Sequence, residues 1–89
     1  MGNFRKGLQL AERTIQQTKE VGYRQGEALG LLYRGLILTD MGRIHEAHHE
    51  VVQGVKLFRD LGAKDDELTA LAFQIRLAWR QGAGPVICL

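Results

Sequence analysis

Five glycines fall on a strict count: Gly2, Gly22, Gly42, Gly62 and Gly82 stand twenty residues apart each time. Glycine enters the left-handed backbone conformation that ends a helix at little cost. It is therefore the usual residue just past a helix C-terminus. The metre predicts four helices of about seventeen residues, each closed by a glycine. The intervals agree. Phe4, Leu8, Ala11, Ile15 and Thr18 recur at steps of three and four, as do Ala28, Leu31, Leu32, Gly35, Leu38 and Met41. Ile44, Ala47, Val51, Val55 and Phe58 follow, then Leu68, Leu71, Ile75, Ala78 and Trp79. This is the period of a helix, not the alternation of a strand.

The expected elements are helices over 3–21, 24–41, 43–61 and 64–81. Together they form a domain over 1–82, followed by a flexible tail over 83–89. Asp65, Asp66 and Glu67 stand where the fourth helix should begin, and acids there complement the positive end of the helix dipole. The only proline, Pro85, lies beyond the last helix. Links this short force neighbouring helices to run antiparallel. The fold class expected is all-α, built from antiparallel helical hairpins.

Composition narrows the function classes. With 89 residues, the chain has room for one small domain. An apolar fraction of 45% is too high for a disordered segment. Twelve Lys and Arg against ten Asp and Glu leave a net charge of +2, weaker than the basic bias of a dedicated nucleic-acid binder. One cysteine rules out an intramolecular disulfide framework. No run approaches the roughly 18 apolar residues of a membrane span, and no secretory leader opens the chain. The expectation is an intracellular, cytoplasmic protein with neither nucleic acid nor membrane as partner.

The count of twenty is half of a longer period. Shifted by forty, Phe4 meets Ile44, Ala11 meets Val51, Ile15 meets Val55 and Val21 meets Leu61. Glu27 meets Glu67, Leu31 meets Leu71, Tyr33 meets Phe73 and Arg34 meets Gln74. Helices therefore alternate between two types, in the order B, A, B, A. A helix pair repeated at fixed period is the signature of a helical solenoid.

The unit from Glu27 to Gly62 resembles the tetratricopeptide repeat (TPR) family in a lengthened form. Leu31, Gly35 and Leu38 lie on its A helix. The turn Met41-Gly42-Arg43-Ile44 follows, then Ala47, Val51 and Gly54 on its B helix. The resemblance implies small residues where the two helices cross, and Gly35, Ala47 and Gly54 match those places. Gly7, Ala11 and Thr14 fit the B-helix places of the first helix, with no A helix before it. Ile75 stands where Gly35 stood. An array that begins on a B helix is incomplete, which suggests a fragment of a longer array or a self-associating protein.

The resemblance also implies a peptide-holding inner face lined by A helices. Carried over by position, it comprises Leu29, Leu32, Leu36 and Thr39, then Thr69, Ala72, Arg76, Trp79 and Arg80. An apolar strip beside Arg76, Trp79 and Arg80 suits an amphipathic or acidic peptide, and Trp and Arg are frequent binding hot spots.

One short motif points to different chemistry. His45-Glu46-Ala47-His48-His49 satisfies H-E-x-x-H on an expected helix. His45 and His49, four apart on one face, can both reach a zinc ion, with Glu46 as base for its water. Glu67, eighteen residues further on, is the candidate third ligand. The crossing alone accounts for Ala47, and His45 and His49 fall on outward positions of the repeat. Met1-Gly2-Asn3-Phe4-Arg5-Lys6 lacks the Ser/Thr of a myristoylation site, and Cys88 is not fourth from the end as prenylation needs.

The expectation drawn from these features is a non-enzymatic interaction module, without a cofactor, that binds a protein or peptide partner in a scaffold or regulatory role. The alternatives are a small zinc-binding protein or metallopeptidase at His45, Glu46 and His49, and a homodimer formed through helix 3–21 and disrupted by a charge at Ala11 or Ile15.

Overall fold

The structure, a computed structural model, describes residues 4–80. They form four helices: α1 (Phe4–Val21), α2 (Arg24–Asp40), α3 (Ile44–Leu61) and α4 (Lys64–Arg80). The helices start at residues 4, 24, 44 and 64, so the count of twenty governs the fold itself. Each end falls within one residue of the expected bound. The tail over 83–89, Cys88, and the glycines at positions 2 and 82 lie outside the described residues.

The three turns share one construction. Gly22, Gly42 and Gly62 have φ of 75°, 84° and 71°, the left-handed region. In the first turn the Gly22 amide donates to the Lys19 carbonyl at 3.2 Å, and the Tyr23 amide donates to the Thr18 carbonyl at 2.8 Å. Gly42 and Arg43 repeat the pair with Thr39 and Leu38, and Gly62 and Ala63 repeat it with Arg59 and Phe58. This is the double hydrogen bond of a Schellman ending, which satisfies carbonyls that a helix end leaves open. The residue after each glycine also starts the next helix: Tyr23, Arg43 and Ala63 accept from Glu27, Ala47 and Glu67 at 2.8–3.1 Å. The chain thus reverses in two or three residues, and consecutive helices must pack against each other.

Extensive helix packing runs between sequence neighbours: α1 on α2, α2 on α3 and α3 on α4. The result is a slab of 48 × 36 × 16 Å, thin in one direction as a two-layer array is. The core is centred on α2 and α3, where Leu32, Leu38, Val51, Val55 and Phe58 are buried. Ala70 and Leu77 join it from α4, and Leu8 packs against it from α1.

Glycine inside a helix costs roughly 1 kcal/mol relative to alanine. Four such glycines are kept here because a side chain would not fit. A Cβ on Gly30 would lie 2.8 Å from Ile15 Cγ1, and one on Gly26 would lie 2.8 Å from Thr18 Cγ2, so both hold α1 close to α2. A Cβ on Gly35 would lie 2.7 Å from Val51 Cγ2, and one on Gly54 would lie 3.2 Å from Leu32 Cδ2. These two draw α2 and α3 together, at the crossing expected from the sequence.

Candidate functional site

A groove opens between the C-terminal halves of α2 and α4, floored by α3. Leu36, Thr39 and Asp40 form one wall, Phe73, Arg76 and Leu77 the other, and Gly35 and Val51 the base. Gly35 lies at the base because it is where α2 crosses closely over Val51 of α3. Its volume is about 180 Å³, below the roughly 300–1,000 Å³ of small-molecule pockets. That space has about the size of one large side chain. The walls are apolar, with Asp40 and Arg76 at the rim. Both rim groups are exposed, and among the described residues Arg76 forms no ion pair.

Of the inner-face residues expected from the sequence, Leu36, Thr39 and Arg76 come together in this groove. Leu32 does not. It is buried in the core, packed toward Gly54, because α2 is covered by α1 on one side and α3 on the other. Leu29, Thr69, Ala72 and Trp79 are exposed but lie outside the groove lining. The Arg80 side chain is outside the described residues. Phe73 and Asp40 are lining residues that sequence reasoning missed. Asp40 carried a signal: an acid at the last position of α2 sits against the negative end of the helix dipole, a placement that costs stability.

Beside the groove layer, one arginine ties three helices together. Arg34 of α2 donates through Nη1 to Glu50 of α3 and through Nη2 to Glu12 of α1 at 3.2 Å. Glu50 is 8% exposed, the one buried charged residue among those described. Burial opposes the Arg34 charge, but the two carboxylates outweigh it and hold its pKa above the ordinary arginine value.

The H-E-x-x-H segment lies on the first two turns of α3. His45 and His49 are both exposed and share a shallow depression with Arg34, Glu46 and Glu50. The proposed third ligand is elsewhere. The antiparallel hairpin sets Glu67 beside the far end of α3, where it accepts from Arg59 Nε at 2.8 Å. Arg59 is fourteen residues along the helix from His45, about 21 Å at the helical rise. Glu67 therefore does not join His45 and His49. No group of three or more His, Cys, Asp or Glu gathers in a metal-holding arrangement among the described residues. Glu46 accepts two 2.6 Å hydrogen bonds from Arg43, which hold its carboxyl below the ordinary range. That makes it a weaker base than an unpaired glutamate.

The face assigned to self-association also needs correction. Ala11 is buried, and Ile15 packs against Gly30. Both point into the α1–α2 junction, because Gly26 and Gly30 let α1 settle deeply onto α2. A charge at either position would damage the fold rather than an outer surface.

Compared with known proteins, the chain matches no family model, no curated protein and no solved structure. No helix among the described residues is long and apolar enough to cross a membrane.

Proposed function

We propose that this chain is a protein-interaction module that holds a peptide or helix of a partner in the α2–α4 groove. The observation that carries the reading is the groove itself: apolar walls of Leu36, Phe73 and Leu77 with Arg76 at the rim, in no ion pair among the described residues. A bulky apolar side chain of the partner fills the space, and an acidic group beside it meets Arg76. The groove is too small for a typical metabolite, which favours holding a partner side chain over turning over a substrate. The walls belong to packed helices, so binding orders the partner and not the site, which limits the entropic cost.

The TPR-like alternation of helix types fits this reading. Such a module serves as a scaffold or regulatory piece in the cytoplasm, needs no cofactor, and engages neither nucleic acid nor lipid.

The test is selection from a random peptide library on the folded domain, followed by NMR mapping of the winners. Peptides with an apolar anchor next to an acid should perturb Leu36, Thr39, Phe73 and Arg76, and Arg76→Glu should abolish their binding. Selected peptides that bind elsewhere, or that bind Arg76→Glu equally well, would reject the groove.

A further inference from the structure

The groove between α2 and α4 is polarised from one wall to the other. On the α2 wall, Thr39 Oγ1 donates to the Gly35 carbonyl at 2.8 Å, so its proton is spent and its oxygen can only accept. The Asp40 carboxylate beside it is an acceptor too. On the α4 wall the charged group is the Arg76 guanidinium, which only donates. Among the described residues neither Asp40 nor Arg76 forms an ion pair, although both line the same groove. One edge is thus negative, the other positive, and the space between them is apolar.

The fold itself does not account for the negative edge. Asp40 is the last residue of α2, where the negative end of the helix dipole opposes a carboxylate. α1 and α3 also carry an acid in their last turn, Glu20 and Asp60, but each sets a base beside it, Lys19 and Arg59. α2 has Thr39 in that place and no base in its last turn. The turn that follows takes hydrogen bonds on the Ile37, Leu38 and Thr39 carbonyls, and none of these bonds involves Asp40. Among α1, α2 and α3, the one helix end left without a compensating base is the one that walls the groove.

We propose that the partner segment held in this groove carries both charges: one apolar anchor, flanked by a basic residue on the α2 side and an acidic residue on the α4 side. This rests on the groove being the binding site. The space has about the size of one side chain, so the anchor fills it and the two charges come from the residues on either side of the anchor. The base meets Asp40, the Thr39 oxygen and the carbonyl end of α2, and so supplies the positive charge that Lys19 and Arg59 supply to the other helix ends. The acid meets Arg76. A wholly acidic segment gains at Arg76 and is repelled at Asp40, and a wholly basic one suffers the reverse, so the groove selects against both. The order of the two charges also fixes the direction in which the segment lies across the groove.

The probe is a synthetic peptide library with one central Leu, Ile, Met, Phe or Trp and with Lys, Glu or Ala at each flanking position. It is selected on the 89-residue chain, on Asp40→Lys and on the double variant Asp40→Lys, Arg76→Glu. Wild-type winners should carry Lys on one side of the anchor and Glu on the other, and should perturb the NMR signals of Leu36 and Phe73. Asp40→Lys should bind them about tenfold more weakly, with the loss shrinking at high salt. It should also melt at a higher temperature than the wild type, because the clash with the α2 dipole is gone. Affinity and stability then move in opposite directions, which a merely structural role for Asp40 does not produce. The double variant should select peptides with Lys and Glu exchanged. Asp40 is exposed, so circular dichroism should show intact helices, and Asp40→Asn replaces Asp40→Lys if it does not. Winners that perturb Leu36 and Phe73 but lack the base, or that bind Asp40→Lys equally well, would overturn the proposal and leave the groove reading standing. Winners that leave Leu36 and Phe73 unperturbed would reject the groove itself.

Discussion

Arg34 and Glu50 are sixteen residues apart in the chain, and the guanidinium of one donates directly to the carboxylate of the other across the α2–α3 interface. Removing one member strands the other. Loss of one partner from a buried pair costs about 3–5 kcal/mol, whereas replacing both by apolar residues is often neutral. Arg34 keeps partial contact with water, so Arg34→Ala should cost about 2 kcal/mol in denaturant unfolding. The double variant Arg34→Met, Glu50→Leu should recover most of it. Additive losses would mean that the pair contributes nothing as a pair.

The crossing of α2 and α3 depends on the absence of one methyl group. Gly35→Ala gains helix propensity of about 1 kcal/mol but drives a Cβ to 2.7 Å from Val51 Cγ2 and 3.3 Å from the Ala47 carbonyl. The backbone contact cannot yield, so a net loss of about 1–3 kcal/mol is expected. Adding Val51→Ala removes only the side-chain clash and should restore part of the stability. Thermal unfolding of the three proteins measures both effects.

Gly42 tests the opposite situation. A Cβ there meets nothing within 4 Å, so space is not the constraint. Its φ of 84° is. Gly42→Ala should cost about 1 kcal/mol from backbone strain alone, and Gly42→Asn less, since asparagine tolerates this region better. Equal stability of the alanine variant and the wild type would contradict the turn geometry.

Glu46 provides a pH signature. Its two hydrogen bonds from Arg43 lower its folded pKa below that of the unfolded chain. Its contribution to stability is therefore present above the unfolded carboxylate pKa and is lost as pH falls through the lower folded value. A carboxyl NMR titration should find Glu46 titrating lower than an ordinary glutamate, and Arg43→Ala should move the midpoint up. The direction of that change is the check.

The groove predicts a separation of binding from folding. Arg76 is exposed and unpaired among the described residues, so Arg76→Glu should leave stability within about 0.5 kcal/mol. Phe73→Ala should weaken peptide binding too, but with some loss of stability, since Phe73 also packs against the core. Matching losses of fold and affinity in both variants would undo that distinction.

The helices were legible because their ends are written in single residues. Only a positive φ at Gly22, Gly42 and Gly62 lets the chain turn where it does, so the count of twenty fixes each boundary. The crossing at Gly35, Ala47 and Gly54 was legible for a similar reason, since small residues at fixed spacing mark close approach. What a face meets was harder to read. The family resemblance placed Leu32 on an open inner face but could not say that α3 already occupies it. It gave Ala11 and Ile15 one apolar side, yet their burial depends on Gly26 and Gly30 of another helix. The Arg34–Glu12–Glu50 tie spans 22 and 16 residues, and no local pattern encodes such a partnership. Phe73 was hidden because its counterpart in the first A helix, Tyr33, is exposed.

The packing of each helix on its sequence neighbours has a mechanical side. A chain pulled from its two ends carries the load along the stack, so the outer helices peel away before the α2–α3 pair, where most of the buried side chains are concentrated. Extension then proceeds in steps of similar length, one helix at a time, because the elements have 17 or 18 residues. When tension falls, each helix refolds against the one still in place. Under load the molecule should act as a short spring whose coils release in order from its ends.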